Sequence, residues 1–303
     1  MRRIKILNQE LVKNFHLKRY VWPIGFIGMI ICLACCQQDP LKKIPTEEKK
    51  QLECLFQDLF LNQHLAYTLL GDKPVSLAGH FYITPMGNLH PASNSFKREW
   101  EIWEKYQNQF KFKNHLLTQL PNPYFKNSRS ITLINKNAFI KIVNENLDLF
   151  QKKLGKNLTG ESLLNQVEKS SNHLFQIIKK DEALYGILLG YGRSNSLLFQ
   201  RYAEICLLIE PLELTEFSLK WPKPHPEFSS LKEEFDFLQS KLGFEGANLD
   251  ILSGAPPVYF RGIPDHEETI FLRQKYEAQR KKIVQFYSEG KVFDKTVQYL
   301  QKN

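Results

Sequence analysis

Apolar positions along the chain fall into distinct regimes. From Val21 to Ala34 they form a run of 14 residues with no charge, shorter than the roughly 20 residues that a bilayer-spanning helix needs. Beyond Thr46 the spacing changes. Leu52, Leu55, Phe56, Leu59 and Phe60 recur at three and four residues, which places them on one face of a helix, with Thr46 as its cap and Glu47 and Glu48 in its first turn. Residues 72–92 break that period with Pro and Gly, and "VSLAGHFYI" predicts a short strand there. Helical spacing returns in "SNSFKREWEIWEKYQNQF", in "NAFIKIVNENLDLFQKKLG" up to Gly155 as a C-terminal cap, in "GESLLNQVEKSSNHLFQIIKK" and in "SLLFQRYAEICLLI". After the proline-rich stretch Pro211–Phe228 come a helix near 229–242, a loop holding Pro256 and Pro257, and a long helix from about Glu267 to Ser288. Leu272, Tyr276, Ile283 and Tyr287 share one face of that last helix. The fold class predicted is mainly α: an irregular multi-helix globular body with minor extended or short-strand segments.

Charge separates the front of the chain from the rest. "MRRIKILNQELVKNFHLKRY" holds six basic residues against the single acid Glu10, so the apolar run has the basic flank of an export leader, with its positive end expected to stay cytoplasmic. Without the leader, the 41 basic and 32 acidic residues become 35 and 31, and the net charge falls from +9 to +4. The excess of basic charge is therefore largely a property of the leader. A nucleic-acid partner, which needs basic charge concentrated on the folded body, is not expected.

The run closes on "LACC", Leu33 to Cys36, followed by polar "QQDP". This resembles the lipobox of bacterial lipoproteins: a Leu three before the acceptor, small residues, then Cys. The resemblance implies a diacylglyceryl thioether on Cys36, with cleavage just before it; a thiolate is the nucleophile such alkylation requires. Cys35 departs from the usual Gly, Ala or Ser and is the alternative acceptor, with Cys32 then displacing the usual Leu. Without cleavage the segment would act as an inner-membrane signal anchor. The division that follows is a signal peptide over 1–35, a lipidated cysteine and tether over 36–50, and a body over 51–303 with an internal boundary near 211–228. Gln37 and Gln38 follow Cys36 and Asp39 comes only at the fourth place, so by the sorting rule of enteric lipoproteins the expected destination is the outer membrane. Of the five cysteines only Cys54 and Cys206 then remain, both in helical apolar settings that suggest small buried hydrophobes; an envelope location would also permit a disulfide between them.

Several stretches carry candidate chemistry. In "LLGYGRSN", Gly190, Gly192, Arg193 and Ser194 can offer backbone N–H groups and a guanidinium to a phosphate or carboxylate. A helix-to-helix turn, with Ser194 capping the second helix, accounts for the same residues, and the third Gly of a dinucleotide fingerprint is replaced by Asn195. "PDHEET" gathers Asp265, His266, Glu267 and Glu268, which suit a metal in type but not in spacing; Asp265 as a helix cap is the simpler reading. "SSLK", Ser229 to Lys232, has the S-x-x-K spacing of penicillin-recognising serine enzymes without their S-D-N and K-T-G partners. The eight histidines show no H-x-x-x-H or H-x-H pair. The basic series Arg273, Lys275, Arg280, Lys281 and Lys282 suits an anionic surface, although Glu277 and Glu289 interrupt it and a solvated helix face explains it as well. No metal or other cofactor is called for.

Three blocks, "FLNQHLAYTLLGDKPVS", "ALYGILLGYGRSNSLLFQRYAEI" and "PPVYFRGIPDHEETIFLRQKYEAQRKKIVQFY", resemble a set of envelope or secreted proteins of chlamydia-type bacteria. The likeness covers about a third of the chain and implies a Gram-negative, host-associated source. It carries no catalytic residue across. The expectation is a lipid-anchored envelope protein whose body binds another envelope component or a host protein. The alternative is an anchored periplasmic hydrolase or transferase whose site is assembled from residues far apart in sequence.

Overall fold

The structure, a computed structural model, describes residues 39–82, 91–121, 128–209, 223–245 and 255–303. The expected leader, Cys35 and Cys36 lie outside the described residues, as does most of the expected boundary at 211–228. Residues up to Thr46 and Glu47–Asn303 fall in separate units. In the first, the described part is a single 3-10 turn, Pro40–Lys43, whose opening N–H at Leu41 donates to Asp39 Oδ1 at 3.1 Å. Among the described residues no helix is long and apolar enough to cross a membrane.

The second unit is mainly helical with a small sheet. Helix α1, Thr46–Gln57, buries Leu52, Leu55 and Phe56, and a π turn over Asp58–Asn62 carries the apolar face on to Leu59 and Phe60. Helix α2, Leu65–Leu70, is buried from Leu65 to Leu69. Strand β1, Val75–Tyr82, covers the predicted strand except Ile83, which lies outside the described residues, and α3, Pro91–Tyr106, follows it. Two further strands, β2, His115–Pro121, and β3, Ser128–Asn135, complete an antiparallel sheet of order β1-β3-β2. Register slips once, between Ala78 and His80 at Gly79, where a bulge requires little side chain.

Neither β2 nor β3 stands out in the sequence. In β3, Ser130 to Ile134 are all buried, because helices cover both faces of the sheet and the apolar/polar alternation of a half-exposed strand is lost. One cover is α2. The other is a group of short helices: α4, Lys136–Glu145, α5, Leu147–Leu154, α6, Gly160–Lys169, α7, Leu174–Ile177, and α8, Glu182–Leu188. Val75 and Ile134 of the sheet meet Phe139, Phe150, Leu174 and Leu188 of these helices in one buried cluster. The stretch read as one helix over 137–155 is broken at Asn146, whose Nδ2 donates to Ile142 O at 2.9 Å. Gly155 ends α5 with φ +128° and its N–H on Gln151 O, so a cap was needed where the sequence placed one.

Helix α9, Arg193–Ile209, packs through Ile205 against Phe235 and Leu238 of α10, Leu231–Lys241. A two-stranded ribbon pairs β4, Gly243–Glu245, with β5, Phe260–Gly262. Helix α11, Glu267–Tyr287, and α12, Val292–Lys302, close the chain. Phe56 receives Phe293 of α12 at a ring-centroid distance of 4.9 Å and Trp103 of α3 at 5.1 Å, both edge-on, which joins three helices in one aromatic core. The start of α12 is capped from α1: the Glu53 carboxylate accepts from Val292 N at 2.6 Å and Phe293 N at 3.0 Å. Cys54 and Cys206 are both free thiols. Cys54 faces solvent rather than the core, and half-buried Cys206 packs beside the α9/α10 cluster.

Candidate functional site

The glycine-containing turn between α8 and α9 is held by side chains from two other helices. Gly190 and Gly192 both take positive φ, +77° and +88°, which favours glycine at each. Close approach requires it too. A Cβ on Gly190 would lie 2.5 Å from the Tyr276 hydroxyl, and one on Gly192 would lie 2.4 Å from Glu268 Cδ. Both of those side chains come from α11. Tyr276 donates to Gly190 O at 2.6 Å, while Glu268 Oε1 accepts from Arg193 N at 2.8 Å and Oε2 from Asn195 N at 2.9 Å.

The N-terminal end of α9, with its exposed N–H groups and positive dipole, thus holds an anion supplied by the protein itself. The Arg193 guanidinium is also engaged, as a bidentate pair with Asp148 at 2.8 and 2.7 Å. That hydrogen-bonded pairing holds the Asp148 carboxyl down at about 2. A second tie reinforces the contact: Asn195 Nδ2 donates to Tyr191 O at 3.2 Å, and its Oδ1 accepts from the Thr269 hydroxyl at 3.0 Å. Ser194 does not cap α9; Glu268 does.

Beneath the turn lies Lys73, only 2% exposed. Its ammonium donates to Val75 O at 2.6 Å and sits 5.4 Å from the centre of the Tyr191 ring. Burial, with the nearby charge of Lys275, brings its amine down to about 7. Burial likewise raises Tyr191 to about 12 and Tyr276 well above its ordinary value. Asp72, beside Lys73 in the chain, is turned outward and pairs with Lys275 at 2.9 Å and Gln279 at 2.6 Å.

The remaining candidates are dispersed. His266 caps α11 through Nδ1, which accepts from Glu268 N at 3.3 Å, so the cap falls one residue after Asp265. The Ser229 hydroxyl donates to Glu233 at 2.6 Å, and Lys232 pairs with Asp236 at 2.8 Å, so neither half of the S-x-x-K spacing faces the other. The basic series is split. Arg280 is buried with its Nε on Ala255 O at 2.8 Å, Lys275 is paired, and Arg273 reaches Pro264 O at 3.2 Å, which leaves Lys281 and Lys282 on the exposed face. Among the described residues no group of three or more His, Cys, Asp or Glu side chains is placed to hold a metal.

Compared with models of known protein families, with curated proteins and with solved structures, the chain matches none. The site therefore rests on its own geometry. Sequence reasoning reached Gly190, Gly192 and Arg193 but missed Lys73, Tyr191 and Tyr276. The signal for Lys73 was slight: a Lys before Pro at the entry to a strand, in "GDKPVS".

Half-buried His64 and buried His173 add a pH dependence. His64 Nε2 lies 3.1 Å from Pro257 O, and His173 Nδ1 accepts from Phe175 N at 3.1 Å. Burial brings each down to about 4, against an ordinary 6.5. Depressed folded-state values mean stability that is complete above pH 6.5 and lost as pH falls toward 4, about 2–3 kcal/mol for each ring. Urea midpoints should fall between pH 7 and pH 4.5, and His64→Asn/His173→Asn should flatten the fall. An unchanged slope in the double variant would assign the loss to other groups.

Proposed function

We propose that the chain is a lipid-anchored bacterial envelope protein whose helical body serves as a binding module for another envelope protein. The anchor reading rests on "LACC" behind a basic-flanked apolar run of 14 residues. A lipidated cysteine carries several acyl chains, and more than one chain is what stable anchoring takes. Gln37 and Gln38 after Cys36 favour the outer membrane as its destination.

The observation that carries the binding reading is Phe271. It is 63% exposed at the head of α11, with Ile270 beside it 38% exposed, on a helix fixed from behind by Glu268 and Thr269. Aromatic side chains presented on rigid elements are the usual anchors of protein interfaces. The polar groups nearby are tied to helix ends and ion pairs.

Mass spectrometry of protein purified from its native membrane tests the anchor. An acylated N-terminal peptide beginning at Cys36 is expected. Intact peptides from Met1–Arg19 as the main membrane form would replace the lipid with a signal anchor. A photo-cross-linker at position 271 tests the surface: one discrete adduct is expected, and none with an equal density of probe at Gln274 serving as control would remove Phe271 from the interface.

A further inference from the structure

Lysine is almost never fully buried without a carboxylate partner, because an unpaired buried charge is among the costliest groups a fold can hold. Lys73 is such a residue. Its Nζ meets one carbonyl, Val75 O, and the face of Tyr191. No carboxylate among the described residues pairs with it, and the adjacent Asp72 is committed to Lys275 and Gln279.

We propose that Lys73 is a proton-operated latch on the α8–α9 turn. With its amine uncharged, it lies under Tyr191 and the turn is closed. On taking up a proton, it leaves for water and the turn loosens from α11.

The connection between the amine and the turn is physical at each step. Tyr191 covers Lys73, Tyr191 O holds the Asn195 side chain, and Asn195 is joined to Thr269 while its N–H lies on Glu268. Displacing Tyr191 therefore disturbs the contacts that fix the start of α9 to α11. Gly190 lies over the Lys73 stem, since a Cβ there would be in van der Waals contact with Lys73 Cγ at 3.4 Å. A charged amine has no route to water with that turn in place.

Several other titratable groups face Lys73. His64, at the head of α2, is brought to about 4 by burial. Tyr191 from the turn stands at about 12, and Tyr276 from α11 well above its ordinary value. Asp72 and, from α11, Lys275 are held together as an ion pair at 2.9 Å. Lys73, at about 7, is the group among them that changes charge near neutrality.

The sign follows by linkage. The closed state binds its proton at about 7 and an open one at the ordinary 10.5, so opening is favoured by acid and suppressed as pH rises between those values. From pH 7 to pH 9 the open population should fall roughly fifty-fold. Hydrogen exchange of the full chain, corrected for the intrinsic pH dependence of exchange, reads this directly. Peptides covering Gly190–Ser196 should gain about fifty-fold in protection over those two pH units, peptides of α6 should not, and Lys73→Met should abolish the gain. A gain retained in Lys73→Met, or shared equally by α6 as in unfolding of the whole body, would overturn the latch. If Lys73→Met does not fold, carbon-13 titration of labelled lysines in the wild-type chain decides: a Lys73 signal moving near pH 7 supports the latch, and one moving near 10.5 rejects it.

Discussion

Glu268→Ala is expected to lower the unfolding free energy by about 2–4 kcal/mol, among the largest losses available from one exposed or half-buried position. The carboxylate satisfies two N–H groups at the start of α9, those of Arg193 and Asn195, and places a full negative charge at that helix's positive end. Alanine removes both acceptors and leaves part-buried donors with no replacement. In thermal unfolding, a loss of this size in a body of some 250 residues corresponds to a fall of about 5–15 °C in Tm. Glu268→Gln keeps an acceptor without the charge and should lose less than half as much. Gly192→Ala tests the same contact from the other side, because its Cβ would fall 2.4 Å from Glu268 Cδ and its φ of +88° is strained for alanine. In the Glu268→Ala background the steric part of that cost disappears, so the two substitutions should be less harmful together than the sum of each alone. Strict additivity would mean that Glu268 does not sit on the turn.

The long amphipathic elements were legible in the sequence because each carries its own evidence. Leu272, Tyr276, Ile283 and Tyr287 mark the buried face of α11 without reference to anything else in the chain. What was not legible depends on partners far away. Glu268 acts on residues 75 and 73 positions before it, and Glu53 on residues 239 and 240 positions after it, so local spacing at each Glu reports only a charge near the start or middle of a helix. Strand β3 was hidden because both faces are covered, and α12 because the nearest start signal is Gly290 rather than a capping side chain. Lys73 was hidden for a deeper reason. A lone Lys in a turn is ordinarily solvated, and only the fold shows that Tyr191 and the glycine turn shut it in.

The same residues account for how the candidate site is organised. Its glycines first suggest a cradle for an external anion, yet the Arg193 and Asn195 N–H groups are taken by Glu268 and the Arg193 guanidinium by Asp148. Two helices far apart in sequence are thereby locked together at one loop. Such a joint braces α11 along the stretch where Phe271 is exposed, and rigidity of the supporting helix is what the proposed interface anchor requires.

Lys73→Met is expected to stabilise the chain at neutral pH and to destabilise it at high pH. At pH 7 the wild-type unfolded chain carries a proton on Lys73 that the folded chain half lacks, and the values of about 7 and 10.5 put the resulting cost at about 4 kcal/mol. Methionine has similar length and no charge to bury, so it removes that cost. It also leaves the buried Val75 O without its donor, which costs about 2–3 kcal/mol at either pH. The net gain at pH 7 is about 1–2 kcal/mol. As pH rises toward 10.5 the wild-type cost fades while the losses in the variant remain, so the order of stability reverses and the wild-type chain becomes the more stable by about 2–3 kcal/mol. Urea unfolding of both proteins at intervals from pH 6 to pH 10 should therefore give two curves that cross between pH 7 and pH 10. Parallel curves would show that Lys73 keeps its proton in the folded state, and that its burial is compensated by contacts other than those to Val75 and Tyr191.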